Sequence, residues 1–241
     1  MPFPIPRPTI NRNMKKYLII SPLGDKSICE EWLQENRDFD VVFIYYGDNL
    51  TVAEQYLKYT PYIFTAKGTK FCLIKSFIQD NLEFISQYSH IWFPDDDVKI
   101  STSEINRLFK FAKEWNLSIC QPSMDGYVSH EITKPVENSL LRYTNFVEVL
   151  APMFDLESLL KIYHSFDLNY SSFGFDYLWA HLLNYPQDKI AIIDDIIMTH
   201  TKPVGQDYSH FPRQPWDELL ELLYEYNITK QEINYSQTWK K

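Results

Sequence analysis

Glycine is scarce in this sequence, six in 241 residues, and no GxGxxG run occurs. That excludes the glycine-rich turn with which dinucleotide-binding oxidoreductases bring backbone against a pyrophosphate. Cysteine is sparse too: Cys29, Cys72 and Cys120 are odd in number, widely spaced and without a CxxC pair. Neither a disulfide framework nor a structural zinc site follows, so the thiols read as reduced core residues. No apolar run approaches the roughly 18 residues of a membrane span, and the opening MPFPIPRPTINRN lacks the apolar centre of a secretory signal. The expectation is a cytoplasmic protein with no transmembrane segment, free to sit at the periphery of a membrane. Positive charge is in deficit as well, with 23 Lys and Arg against 32 Asp and Glu and a net charge of -9. A nucleic-acid partner, which needs a basic face, is not expected, and any anionic ligand requires local neutralisation.

What is abundant is core material. Hydrophobic residues make up 45% of the chain and aromatic residues 16%, ample for one packed α/β domain. Residues 1–13 are punctuated by proline and read as a disordered tail, leaving 14–241 as the domain. YLIIS (17–21) and DVVFIYYG (40–47) are β-branched and aromatic runs of the kind that form buried parallel strands, and SICEEWLQEN (27–36) between them has helical spacing. A helical stretch at 71–88 leads into the apolar HIWF at 90–93, and a helix is expected at 103–115. Strand-like runs follow at 117–123 and 146–154, then a helix starting near Asp155 and another over 171–185. A strand over 189–200 ends on His200, and an amphipathic helix at about 213–227 closes the chain.

Three carboxylates, Asp95, Asp96 and Asp97, stand at the carboxyl end of the HIWF strand, in HIWFPDDDV. Open α/β sheets bind ligands at that end of their strands. In extended chain Asp95 and Asp97 project to one side and Asp96 to the other, so the outer two can share a hard cation such as Mn²⁺ or Mg²⁺. His200, at the end of the last strand, has the chemistry of a third ligand. Asp176, in FGFD, lies in the first turn of a helix, where the dipole favours an ionised carboxylate, and Gly174 permits close approach of another group. Each has a plainer reading: a solvated acidic loop, a structural histidine, a helix cap.

The order WFPDDD, SICQPS, VEVLAPMF, FGFD and IIMTH resembles the glycosyltransferase-like family catalogued as domain of unknown function 707, over about residues 15–202. The resemblance implies a single-domain α/β fold of GT-A type and a metal-dependent transfer, of inverting stereochemistry, from a nucleotide-sugar donor to a glycan or other hydroxyl acceptor. It further implies that Asp95 and Asp97 form a DxD motif, with Asp95 also reaching the donor and His200 completing the metal site. Asp176 matches the general base, and Lys70 a lysine that meets the donor diphosphate or nucleotide. Gln121, Ser123, Glu148 and Gly174 are implied to line the sugar and acceptor pocket. Phe173 stands where the family pattern has tryptophan. Two other readings stay open on the residues alone: a metal-dependent phosphohydrolase acting on a nucleotide-type diphosphate, and a non-catalytic carbohydrate-binding protein.

Overall fold

A computed structural model describes residues 15–34, 36–203, 208–209 and 211–240. The tail expected at 1–13 lies outside the described residues. Ten strands are described: β1 (Tyr17–Leu23), β2 (Phe39–Tyr45), β3 (Ile63–Thr65), β4 (His90–Trp92), β5 (Val98–Lys99), β6 (Ile119–Gly126), β7 (Ser139–Thr144), β8 (Met153–Asp155), β9 (Ile190–His200) and β10 (Asn234–Trp239). They form one mixed sheet in the order β10-β7-β9-β6-β8-β4-β1-β2-β3, with β5 paired to β9. The half running β4-β1-β2-β3 is parallel, β8 is inserted antiparallel between β4 and β6, and β6 and β9 are again parallel.

The helices are α1 (Leu50–Gln55), α2 (Lys70–Asp80), α3 (Leu82–Ile85), α4 (Thr102–Glu114), α5 (Leu156–Ile162), α6 (Phe175–Leu182) and α7 (Pro215–Glu225). Successive strand residues point to opposite faces, and both faces of the central strands are buried, which is why their sequences are apolar throughout. Ile19, Val41 and Phe43 pack with Trp32, Leu108 and Phe109 on one side. Leu18, Ile20, Val42 and Ile44 pack with Ile74, Phe77 and Leu178 on the other.

Several expected elements differ. The helix expected at 27–36 is only a 3-10 turn, Cys29–Leu33, because flanking bonds tie it down: the Ile28 amide donates to the Asp96 carbonyl and the Gln34 amide to Thr102 Oγ1. The stretch expected as one helix at 71–88 breaks at Asn81, whose backbone leaves helical geometry. Of the run at 146–154 only Met153–Asp155 is strand; the rest is an irregular segment that binds the acidic loop. β7 and β10, antiparallel neighbours at the sheet edge, went unread because their sequences, SLLRYT and NYSQTW, mix polar and apolar residues.

Candidate active site

The acidic triplet is locked from three directions. The Phe93 amide donates to the Pro152 carbonyl and the Asp95 amide to Leu150, both at 2.9 Å, while Ser21 Oγ donates to the Pro94 carbonyl at 2.9 Å. Asp96 and Asp97 stand in a turn and not in extended chain, and Asp96 Oδ2 accepts the Gly24 amide at 2.8 Å. Asp96 therefore caps the end of β1 and offers nothing to a ligand through that oxygen.

Asp97 and His200, 103 residues apart in the numbering, meet because β5 pairs antiparallel with the last two residues of β9, with Val98 opposite His200. Thr201 fastens the junction with its amide (3.2 Å) and hydroxyl (2.7 Å), both donated to the Asp97 carbonyl. Gly126, at φ +79, closes it from β6, since a Cβ there would stand 2.4 Å from the His200 carbonyl oxygen. His200 Nε2 lies 3.6 Å from Asp97 Oδ2, and its Nδ1 is 2.7 Å from the Tyr127 carbonyl. A carbonyl can only accept, so Nδ1 carries a proton and Nε2 faces the carboxylate. Burial works against the charge of both groups, yet their mutual interaction prevails: it holds the Asp97 carboxyl below its ordinary range and, with Tyr127, raises the His200 imidazole above its own.

Lys70 begins α2 and points back into the site. Its amine donates to Asp95 Oδ1 at 2.6 Å and to the carbonyls of Val149 (2.8 Å) and Leu150 (2.7 Å). All three ammonium protons are thus committed, which revises the expectation that Lys70 meets the diphosphate directly: it neutralises Asp95 instead. Burial pulls the amine down from its ordinary value and pushes the Asp95 carboxyl up, each opposed by the other's charge. Lys202, which sequence reasoning passed over, has its Nζ 3.6 Å from both Asp96 Oδ1 and Asp97 Oδ2 and is partly exposed.

A second group of acids lies on the far side of Glu148. Glu148 is buried, and its Oε2 has no hydrogen-bond partner among the described residues. Its amide donates to Gln121 Oε1 at 2.6 Å. Asp176, buried in the first turn of α6, accepts only the Tyr177 amide among the hydrogen bonds described, at 3.1 Å. Burial pushes its carboxyl up to about 7, against the pull of His130. The helix start therefore does not hold Asp176 in the ordinary carboxylate range, as its position suggested; desolvation outweighs the dipole. His130 and Glu232, neither of them anticipated, complete this half: Glu232 Oε1 lies 2.6 Å from His130 Nδ1 and accepts the Tyr177 hydroxyl at 3.0 Å. Sequence held no signal for Glu232, which reaches the site only through the segment leading into β10.

Three expected pocket residues are engaged in packing and strand contacts. Gln121 and Ser123 are fully buried within β6; Gln121 ties the strand to Glu148, and Ser123 Oγ donates to the Ile196 carbonyl at 3.3 Å. Gly174 is at φ +93, and a Cβ there would stand 2.9 Å from Leu222 and 3.1 Å from Leu219. The close approach it permits is that of α7, so the room expected for an acceptor is filled by helix packing.

The fit of a cation can be tested on these groups. Asp97 Oδ1 is buried without a hydrogen-bond partner among the described residues, beside an imidazole nitrogen, and an oxygen–nitrogen pair of that kind suits Mn²⁺. The three-residue set expected from Asp95, Asp97 and His200 is not assembled: among the described residues no three His, Cys, Asp or Glu side chains converge on one point, and Lys70 holds Asp95. The residues present fit a cation held by two protein ligands.

A family model described as "Protein of unknown function (DUF707)" matches residues 9–145, more than half of the chain. The chain belongs to that family. The match takes in Lys70 and the acidic triplet; Glu148, Asp176 and His200 of this DUF707 member lie beyond it. No curated protein matches the sequence. Among solved structures, Staphylococcus aureus TarS 1-349 in complex with UDP-GlcNAc is similar at a TM-score of 0.56 and 15% identity, over 88% of this chain and 65% of that one. GalNAc-T7 with UDP, GalNAc and Mn²⁺ is similar at a TM-score of 0.58 and 8% identity, over 90% of this chain and 50% of that one. A further TarS structure matches over 78% of this chain and 37% of its own. The chain spans less than two thirds of the length of these proteins, and the likeness is one of fold: a GT-A-like α/β sheet flanked by helices.

Proposed function

We propose that this DUF707 member is a metal-dependent glycosyltransferase that moves a sugar from a nucleotide-sugar donor to a hydroxyl acceptor with inversion. The observation that carries the reading is the pair where β5 begins and β9 ends: Asp97, with one buried oxygen unpartnered among the described residues, beside His200 Nε2, with Nδ1 already engaged. Asp97 and His200 would hold the cation. When bound, it would supply Lewis-acid stabilisation of the departing diphosphate.

The protein's own groups divide the remaining work. Lys70 cancels the charge of Asp95, so the acidic loop presents less repulsion to an anionic donor, and Lys202 is free to swing from Asp96 and Asp97 toward phosphate. Asp176, with a carboxyl near neutrality, suits a general base, because proton transfer is most effective when the catalytic pKa lies close to the working pH. In the transfer step the acceptor oxygen forms a bond to the anomeric carbon, the bond from that carbon to the diphosphate breaks, the electron pair leaves with the nucleoside diphosphate, and the hydroxyl proton passes to Asp176.

The test is Mn²⁺ electron paramagnetic resonance with and without UDP. Asp97→Ala is expected to lose the bound-Mn²⁺ signal while remaining folded by circular dichroism. An undiminished signal in the variant removes Asp97 from the metal site.

A further inference from the structure

Close to Asp176 the chain builds a surface that the catalytic residues do not use. Five aromatic rings follow one another in contact: Tyr170 and Phe211 at 5.0 Å between centroids, Phe211 and Tyr208 at 5.2 Å, Tyr208 and Phe173 at 5.8 Å, Phe173 and Trp216 at 5.6 Å. Three of the four contacts are nearly perpendicular, 83° to 89°, so rings are not stacked face to face in pairs. Trp216 is 59% exposed and Tyr170 38%. Large rings that are exposed and in mutual contact form a contiguous apolar patch, the kind that marks a binding surface.

The surface is held rigid. The Asn169 side chain accepts the Ser172 amide at 2.7 Å and donates to the Phe173 carbonyl at 2.9 Å. Glu218, buried in the first turn of α7, accepts the amides of Ser171 at 2.8 Å and Tyr170 at 3.3 Å. One carboxylate thus joins the loop that carries Phe173 to the helix that carries Trp216. Ordering of this kind in advance reduces the entropy lost when a ligand binds. The loop also connects to the candidate chemistry: Phe173 packs on a core cluster containing Phe146 and Tyr177, and Asp176 is three residues further on.

We propose that the ridge of Tyr170, Phe173 and Trp216 binds the acceptor, and that the acceptor is a neutral carbohydrate. Aromatic faces are electron-rich and attract the polarised C–H edge of a sugar ring, while its hydroxyls remain in water. Charge excludes an anionic acceptor. Asp217, Glu218, Glu221 and Glu225 belong to α7, whereas among the described residues the cations in contact with this helix are Arg213, paired with Glu221, and Lys230, whose Nζ is 5.0 Å from the Trp216 centroid. A phosphate- or carboxylate-bearing polymer would meet net negative charge here. This inference rests on the transferase reading above.

Saturation-transfer NMR on the full chain tests it, with maltose, cellobiose and lactose as probes and glycerol 1-phosphate as the anionic control. Saturation of ring C–H protons is expected for at least one disaccharide and not for glycerol 1-phosphate. In Trp216→Ala its Kd should weaken about tenfold, while the UDP- and Mn²⁺-dependent rise in melting temperature is unchanged. No saturation with any of the three sugars, equal binding by Trp216→Ala, or stronger binding of glycerol 1-phosphate overturns the inference. So does a concentration-dependent dimer of the parent chain abolished by Trp216→Ala, since the ridge would then be a protein contact. The two readings fail distinguishably: UDP and Mn²⁺ bound without any sugar defeats the ridge alone, whereas sugar bound by a chain that takes no UDP defeats the transferase reading and with it the acceptor role, leaving a carbohydrate-binding ridge.

Discussion

Asp176 carries the clearest consequence of burial. Its carboxyl ionises near 3.8 in an unfolded chain and at about 7 in the folded one, so between those values the folded state holds a proton that the unfolded state has lost. The stability contributed by this group is therefore present at acid pH and declines as pH rises through that window. Asp176→Asn should melt close to the parent at pH 4 and clearly higher at pH 8, and a scan showing no growth in that difference would contradict the assignment. Transfer should fall at least ~100-fold in the same variant, as loss of a general base predicts. In the parent, transfer should rise as pH passes about 7. His200 behaves oppositely. Burial works to lower its imidazole, but Asp97 and Tyr127 raise it above the ordinary value, so a cation competes with a proton held more tightly than on a free imidazole. Mn²⁺ affinity should fall steadily as the medium is acidified. In His200→Ala calorimetry should find weaker Mn²⁺ binding than in the parent, with a smaller loss than in Asp97→Ala and a flattened pH dependence.

The elements most exposed to a single change are α6 and α7, which meet at Gly174. Its φ of +93 is unfavourable for any residue with a Cβ, and Leu219 and Leu222 fill the space that a Cβ would need. Gly174→Ala should destabilise the fold by about 1–3 kcal/mol, measured by denaturant titration. Transfer should drop with it, since Asp176 sits on the displaced turn. Sequence patterns located β1, β2, β4, β6 and β9 and the helices α4, α6 and α7 because each carries a period or an apolar run of its own. They failed where a segment's conformation depends on distant partners. The 146–154 run is apolar enough to read as strand, yet its carbonyls at Val149, Leu150, Ala151 and Pro152 are taken by Lys70, Asp95, Trp92 and Phe93. Tertiary hydrogen bonds overrode local propensity there.

For the molecule as a whole, a net charge of -9 makes an anionic donor unwelcome without a cation. UDP should raise the melting temperature of the parent in Mn²⁺ and leave it unchanged in chelator. An equal rise in both conditions would mean that lysines alone carry the diphosphate. In chelator without nucleotide, Asp97→Ala should melt lower than the parent at neutral pH, because the carboxyl is held below its ordinary range by His200 and Lys202 and that stabilisation goes with it. Among the described residues no helix is long and apolar enough to cross a membrane, in line with the short apolar runs of the sequence.

By itself the sequence determined the α/β class, the strand that ends in Asp95–Asp97 and the helix that begins beside Asp176, because period, apolar runs and strand ends are local properties of a chain. It also held the residue types a cation or a proton transfer would need. Only the tertiary structure decided which of them act together. The β5–β9 register brings Asp97 to His200, a buried amine pairs with Asp95, and Glu232 arrives at His130 from the far end of the chain. Protonation was settled at that level as well: the pKa of Asp176 follows from how much water its neighbours exclude, and burial is a property of the packed molecule.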